Sequence, residues 1–547
     1  MIGSAILFAL FGRALAQAPG PPPVFPAVTD LHIKNAFLQP DGFNRSFVTA
    51  EGIIPGPTIS GNKGDTFKIN LINELTNGTM ILSTSIHWHG IFQEHTNWAD
   101  GTSSPFVNQC PIAANNSFLY EFTVPDQAGT FWYHSHLATQ YCDQLRGGLV
   151  VYDPNDMLGD LYDVDDGGTI LHVGPLYHVP APMIPVGSSV VEAGMINSFG
   201  RNYFNTEPTP LSVFSVVHGL RYRFRLIHSG CDQPWNVSVD FHSLLFIESD
   251  GIEHHPVVAD AVQIFVAQRY SFIVTANQTV DNYWLKANNN GASGTPGFAG
   301  GINSAILRYL GAPDAEPTKN QTNINQNPLK ETDMHPILNP QAPGEPNIDG
   351  ADVILNLQLF WTIGGNGAIG TTEQGNFFFI NGVRFFPPTV PVLLQIISGA
   401  RTAQELLPTG SVYTLPLNST IQISFNVTQV FQHGGPHPFH LHGHAFSGIR
   451  VAGSDVLNFE NPIQRDVIQT GMPGDNVTIR FFTDNAGPWF LHCHIDWHLE
   501  GGFAIVLAEG PAETPARNPT PEDWDQLCPT YDALTPLQLG GEGGPTT

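Results

Sequence analysis

The stretch His492-Cys493-His494-Ile495-Asp496-Trp497-His498-Leu499-Glu500-Gly501-Gly502-Phe503 decides how the rest of the chain is read. In an extended strand successive side chains point to opposite faces, and alternate ones lie about 6 to 7 Å apart on the same face. His492 and His494 therefore face one way and Cys493 the other. A thiolate is a soft ligand that suits copper, and the alternation sends the cysteine to a different metal from the two histidines. One tripeptide can thus join two metal centres through covalent bonds. Standing alone, it reads more simply as a buried free thiol between two surface histidines, so the decision falls to the other residues.

Three more His-x-His pairs stand in the chain: His87-Trp88-His89, His134-Ser135-His136 and His440-Leu441-His442. Each puts two imidazoles on one strand face, a donor set that suits copper and zinc. The four pairs fall two and two, toward the ends of the chain. Eight histidines converging from two units can hold three metals, so a cluster is expected where the first and third units meet. His437 precedes His440 by an odd three residues, which turns it toward the side of Cys493. His498 reaches that side if the chain turns at Asp496-Trp497. A cysteine and two histidines form the trigonal set of a blue-copper electron-transfer site. His444 shares the face of His440 and His442 without a ligand role, and is expected to be a supporting or core histidine.

The remaining sequence is short alternating runs broken by Gly, Pro and Asn, with no sustained helical period, an all-β pattern. It also repeats. Tyr120-Glu121-Phe122-Thr123-Val124, a turn and Phe131-Trp132-Tyr133-His134 are echoed by Thr478-Ile479-Arg480-Phe481-Phe482, a turn and Trp489-Phe490-Leu491-His492. A third copy runs from Tyr270-Ser271-Phe272-Ile273-Val274 to Tyr283-Trp284-Leu285-Lys286, with Lys286 where the others have His. Three related units are implied, and only the outer two hold ligands. Turn residues at Asp153-Pro154-Asn155 and the polar tract from Gly311 to about Lys330 mark the boundaries. The expected domains are residues 27–155, 156–328 and 329–547, and the tail from Gly540 to Thr547 is expected to be disordered.

A chain of 547 residues is too long for one ordinary core. Its 21 basic against 48 acidic residues give a formal charge of -27, which excludes nucleic acid and anionic membranes as partners. The apolar run from Met1 to Phe11 and the small residues Ala14-Leu15-Ala16 read as a secretory signal over residues 1–16. Later apolar stretches fall short of the 18 or so residues of a membrane span. Sequons at Asn44, Asn77, Asn115, Asn236, Asn277, Asn320, Asn418, Asn426 and Asn476 support secretion independently. A soluble extracellular glycoprotein is expected. Of the five cysteines, four can pair in an oxidising compartment, and Cys493 is the natural odd one.

With these motifs in place the sequence resembles a multicopper oxidase, and most nearly the fungal laccases. The likeness runs from about Val28 to Leu534. Besides the four histidine motifs, it rests on Trp98-Ala99-Asp100-Gly101, on Phe106-Val107-Asn108-Gln109-Cys110-Pro111 and on the run from Asn303 to Tyr309. The resemblance implies three cupredoxin-like Greek-key β-barrel or sandwich domains and four coppers. His437, Cys493 and His498 would hold the type 1 copper, and His87 and His440 the type 2 copper. His89, His134, His136, His442, His492 and His494 would hold the type 3 pair.

Phe503 stands at the axial position, where a non-ligating side chain raises the potential; it also reads as a plain core aromatic. Asp100 and Asp496 match acids that supply protons to the cluster. By sequence alone Asp100 is equally a turn residue before Gly101, and Asp496 a carboxylate orienting an imidazole. Asp232, after Cys231, matches the carboxylate that accepts the phenol proton, against an ordinary loop Asp. The implied disulfides are Cys110 with Cys528 and Cys142 with Cys231. The implied activity is laccase: a monomer takes one electron at a time from small phenols or aromatic amines, entering at His498, and reduces dioxygen to water.

Three departures from the family pattern bear on substrate preference. The loop between Asp100 and Cys110 is two residues longer than usual, His433 stands where a small residue or Pro is expected, and Asn288-Asn289-Asn290-Gly291 lacks an aromatic.

Overall fold

The computed structural model describes residues 21–541 except 185–189, 203–208, 233, 290–300, 324, 364–374 and 431–434. The signal at residues 1–16, His433 and the end of the Asn288–Gly291 segment lie outside the described residues.

Six sheets pack in pairs into three cupredoxin-like sandwiches. The first pairs a five-stranded sheet with a four-stranded one, and all its strands lie between Val24 and Tyr152. The second pairs seven strands with five, between Ile170 and Tyr309. The third pairs six with five, between Val353 and Glu509. The all-β expectation holds because the alternation is real: in Ser117–Thr123, Phe118, Tyr120 and Phe122 are buried while Ser117, Leu119 and Thr123 face out.

The strands that hold histidine ligands break that alternation. Gly129–His134 and Gly487–Cys493 are buried at every position. One face of each lies on its own sandwich core and the other on the neighbouring unit, so both faces tolerate only buried side chains. Gly443, next to His442, has φ +74°, and a Cβ there would lie 2.3 Å from the Trp489 ring. Only glycine lets the chain turn so tightly there.

Both disulfides are formed, and Cys493 is the free cysteine. Cys110–Cys528 spans 418 residues and ties the first sandwich to the C-terminal helices; Cys142–Cys231 spans 89 and ties it to the second. Loops of such length are worth on the order of 5 kcal/mol each in the chain-entropy model. The tail differs from expectation at its start. Gly540 bridges to Ile81, and the Gly541 N–H donates to the Gly78 carbonyl at 3.1 Å. The short helix Pro536–Leu539 delivers these two glycines to a first-sandwich backbone that needs partners.

Candidate metal centre

The four histidine pairs meet as two antiparallel strand pairs. In the first sandwich His87–His89 pairs with Gly129–His134, with His87 opposite His134. In the third, Pro438–Leu441 pairs with Gly487–Cys493, with His440 opposite His492. Within each His-x-His the ring centroids are 5.5, 5.8, 4.6 and 5.3 Å apart, which is the same-face spacing of a pleated strand. Across the junction His89 stacks on His440 at 3.8 Å, and His87 lies 4.0 Å from His442. All eight rings are buried.

The backs of these rings are held by oxygen. His87 Nδ1 lies 2.7 Å from the Asp100 carbonyl, His134 Nδ1 2.8 Å from that of Ser135, and His440 Nδ1 2.9 Å from that of Asp466. His442 Nδ1 lies 2.9 Å from the Asp100 carboxylate, His492 Nδ1 3.0 Å from the Cys493 carbonyl, and His494 Nδ1 3.2 Å from the Tyr141 hydroxyl. An acceptor behind the ring puts the proton there and leaves the other nitrogen's lone pair facing inward. Those inward atoms are buried without a hydrogen-bond partner at Nε2 of His87, His134, His136, His440 and His494, and at Nδ1 of His89. His442 and His492 bring two Nε2 atoms to 3.1 Å, an arrangement that a shared cation resolves. Burial first, and then the neighbouring imidazoles, keeps His89, His134, His136, His440, His442 and His494 well below the usual histidine pKa. Neutral imidazoles with converging lone pairs fit metal ions such as copper.

On the opposite face of the same strand Cys493 Sγ lies 3.7 Å from His437 Nδ1 and 3.5 Å from His498 Nδ1, with the two nitrogens 3.1 Å apart. The helix Asp496–Glu500 makes the turn that brings His498 back. Burial pushes the Cys493 thiol far up, so a thiolate exists there only against a cation. Phe503 is fully buried and meets His437 edge-on at 5.2 Å, beside Phe378 and Phe439 at 5.0 Å each. It is a core aromatic and at the same time closes the site with carbon.

The acids divide by position. Asp100 ends the turn Asn97–Ala99 and receives Thr102 Oγ1 at 2.6 Å as well as His442, so it orients the cluster. Asp496 lines a small cavity together with His134, His136, Tyr141, His492 and His494. Burial, and then Glu500, raises its carboxyl well above the usual range. Its N–H donates to the Cys231 carbonyl at 3.1 Å, which docks the Cys231-Asp232 loop against the ligand turn. Asp232 receives the Tyr177 hydroxyl at 3.3 Å. His444 points away to Glu509, its Nε2 at 3.0 Å. The loop before Cys110 packs on the cluster side, with the Ser104 N–H donating to the His136 carbonyl at 3.0 Å.

Models of the multicopper oxidase family match residues 32–156, 157–312 and 385–513. The chain belongs to the multicopper oxidase family. It is 56% identical to Laccase-1 of Trametes villosa over 93% of this chain and 95% of that one. It is 55% identical to the laccase of Pycnoporus cinnabarinus over 94% and 95%. Among solved structures the laccase from Botrytis aclada matches with a TM-score of 0.80 at 28% identity, covering 97% and 96% of the two chains. Fet3p, a multicopper oxidase that functions in iron import, matches with a TM-score of 0.78 at 26% identity, covering 95% and 97%. As in this family, the cofactor is four coppers: one type 1, one type 2 and a type 3 pair.

Sequence reasoning missed Asp466, Tyr141 and Arg269. Asp466 Oδ1 lies 3.3 Å from His89 Nε2, and Arg269 donates to both its carboxylate oxygens at 2.6 Å. None of the three stands in a ligand motif, and only the meeting of the sandwiches gives them a role.

Proposed function

We propose that this chain is a laccase that oxidises small phenols and aromatic amines one electron at a time and reduces dioxygen to water. The observation that supports this best is the single strand Gly487–Cys493. It turns Cys493 toward His437 and His498, and His492 with His494 toward the other six histidines. His437, Cys493 and His498 would hold the type 1 copper, and His87 and His440 the type 2 copper. His89, His134, His136, His442, His492 and His494 would hold the type 3 pair. When bound, the coppers supply one-electron acceptance at the first site and dioxygen reduction at the second.

The chain's own residues do the rest. Cys493 and its two neighbours form the shortest covalent path between the two ligand sets. His498 is the entrance, and Asp232, hydrogen-bonded by Tyr177, takes the proton that a phenol releases on oxidation. Asp496, in the small cavity beside four cluster histidines, holds protons for water formation, and Asp100 keeps His442 in its ligating tautomer. Phe503 closes the Cys493 site with carbon, which offers no donor atom and would raise the potential of a copper held there. The nine sequons and the apolar start support a secreted, extracellular glycoprotein. One chain supplies every ligand, which supports action as a monomer.

The experiment is copper count and visible spectrum on the purified protein, followed by oxygen uptake with a methoxyphenol. Four coppers, a blue band and copper-dependent uptake are expected. A fully loaded sample without uptake overturns the reading.

A further inference from the structure

None of the proposed copper ligands lies in the second sandwich, yet one of its side chains reaches the cluster. Arg269 begins the strand Arg269–Thr275 and is fully buried. Its NH1 and NH2 donate to the two carboxylate oxygens of Asp466 at 2.6 Å each, the bidentate geometry that fixes a carboxylate's plane. Its Nε donates to the Thr130 carbonyl at 3.0 Å, on the strand that ends in His134. Asp466, from the third sandwich, lies behind two ligand rings: Oδ1 is 3.3 Å from His89 Nε2, and its backbone carbonyl is 2.9 Å from His440 Nδ1. All three sandwiches therefore meet at one guanidinium.

We propose that Arg269 is a positioning residue of the trinuclear site, acting through the Asp466 carboxylate on His89 and His440. This rests on the laccase reading and deepens it. The carboxylate determines which nitrogen His89 offers. Because Asp466 takes Nε2, the inward atom is Nδ1, whereas His87, His134, His440 and His494 turn Nε2 inward. A buried carboxylate keeps that orientation only while its own charge is matched, and a planar fork matches it in a way that a lysine's point charge does not. The chain also makes room for the contact. Gly90, next to His89, has φ +91°, and a Cβ there would lie 2.5 Å from Arg269 NH2 and 2.8 Å from Asp466 Oδ2.

A second buried ion pair stays within one unit and touches none of the proposed ligands. Lys286 sits at the place in the repeat where the outer units have His, and its Nζ lies 2.7 Å from Asp240 within the second sandwich. It provides the control.

The test uses copper-loaded holoenzyme. Arg269→Lys should alter the type 2 copper's electron paramagnetic resonance signal. It should also weaken copper retention against a chelator by on the order of 10-fold, with the blue absorption unchanged. Lys286→Met should lower thermal stability and leave the type 2 signal and copper retention as in the parent. If Arg269→Lys does not accumulate as folded protein, Asp466→Asn, which keeps the shape, decides on the same two readouts. A parent-like signal and retention in the deciding variant overturns the proposal, and so does an equal loss in Lys286→Met. A blue, active parent with an indifferent Arg269→Lys sinks only the positioning role. A parent without copper or oxygen uptake sinks the laccase reading itself.

Discussion

The two faces of the strand Gly487–Cys493 have been built on opposite plans. On the Cys493 face the rings meet carbon: Phe503 lies against His437, Phe378 against His498, and Phe439 packs on Phe503. On the histidine face nearly every ring is backed by an oxygen, and four of those oxygens belong to Asp100 and Asp466. Carbon favours the lower charge of a reduced metal and limits rearrangement, which suits a site that only passes electrons. Oxygen behind imidazole raises ligand basicity, fixes tautomers and keeps protons near, which suits a site that makes water. One strand can serve both because its alternation keeps the two environments on separate faces.

The strongest way to break the comparison is to cut its link. Cys493→Ser should abolish both the blue band and phenol oxidation while the three cluster coppers stay bound, as read by absorption and copper count. A retained blue band would separate Cys493 from the type 1 copper. Next in size, Asp232→Asn should slow phenol turnover by about 100-fold while leaving a donor that releases no proton almost unaffected. Equal losses for both donors would make Asp232 structural.

On the other face Asp100→Asn should weaken copper retention by about 10-fold, because an amide can turn a donor toward His442 Nδ1–H; dialysis against a chelator reads it. The smallest effect is expected from Phe503→Met. It should lower the type 1 potential by on the order of 60 mV, about tenfold in the one-electron equilibrium, without changing the copper count. An unchanged potential would leave Phe503 as packing alone.

Much of this was legible in the sequence because strand parity is a local rule. His492 and His494 against Cys493 needed only period-two geometry, and the repeat located the partner strands without any coordinates. The same repeat marked Lys286 as the odd member, and the structure shows what replaces the metal there: a buried ion pair with Asp240 and hydrogen bonds to Asn320 and Gln321. His444 was legible only in part. Its face was readable, but its partner Glu509 lies 65 residues on in another strand.

The sequence by itself determined the all-β class, the three-unit repeat, the candidate ligand set and the chemistry those donors suit, since each follows from residue type and short-range periodicity. The tertiary structure alone decided which nitrogen each histidine turns inward, that Asp100 and Asp466 support rings from behind, and that the second sandwich reaches the cluster through Arg269. The contacts among them that cross from one sandwich to another join residues 197 to 377 positions apart. No local rule links such residues; they become neighbours only when the three sandwiches bury their faces against one another.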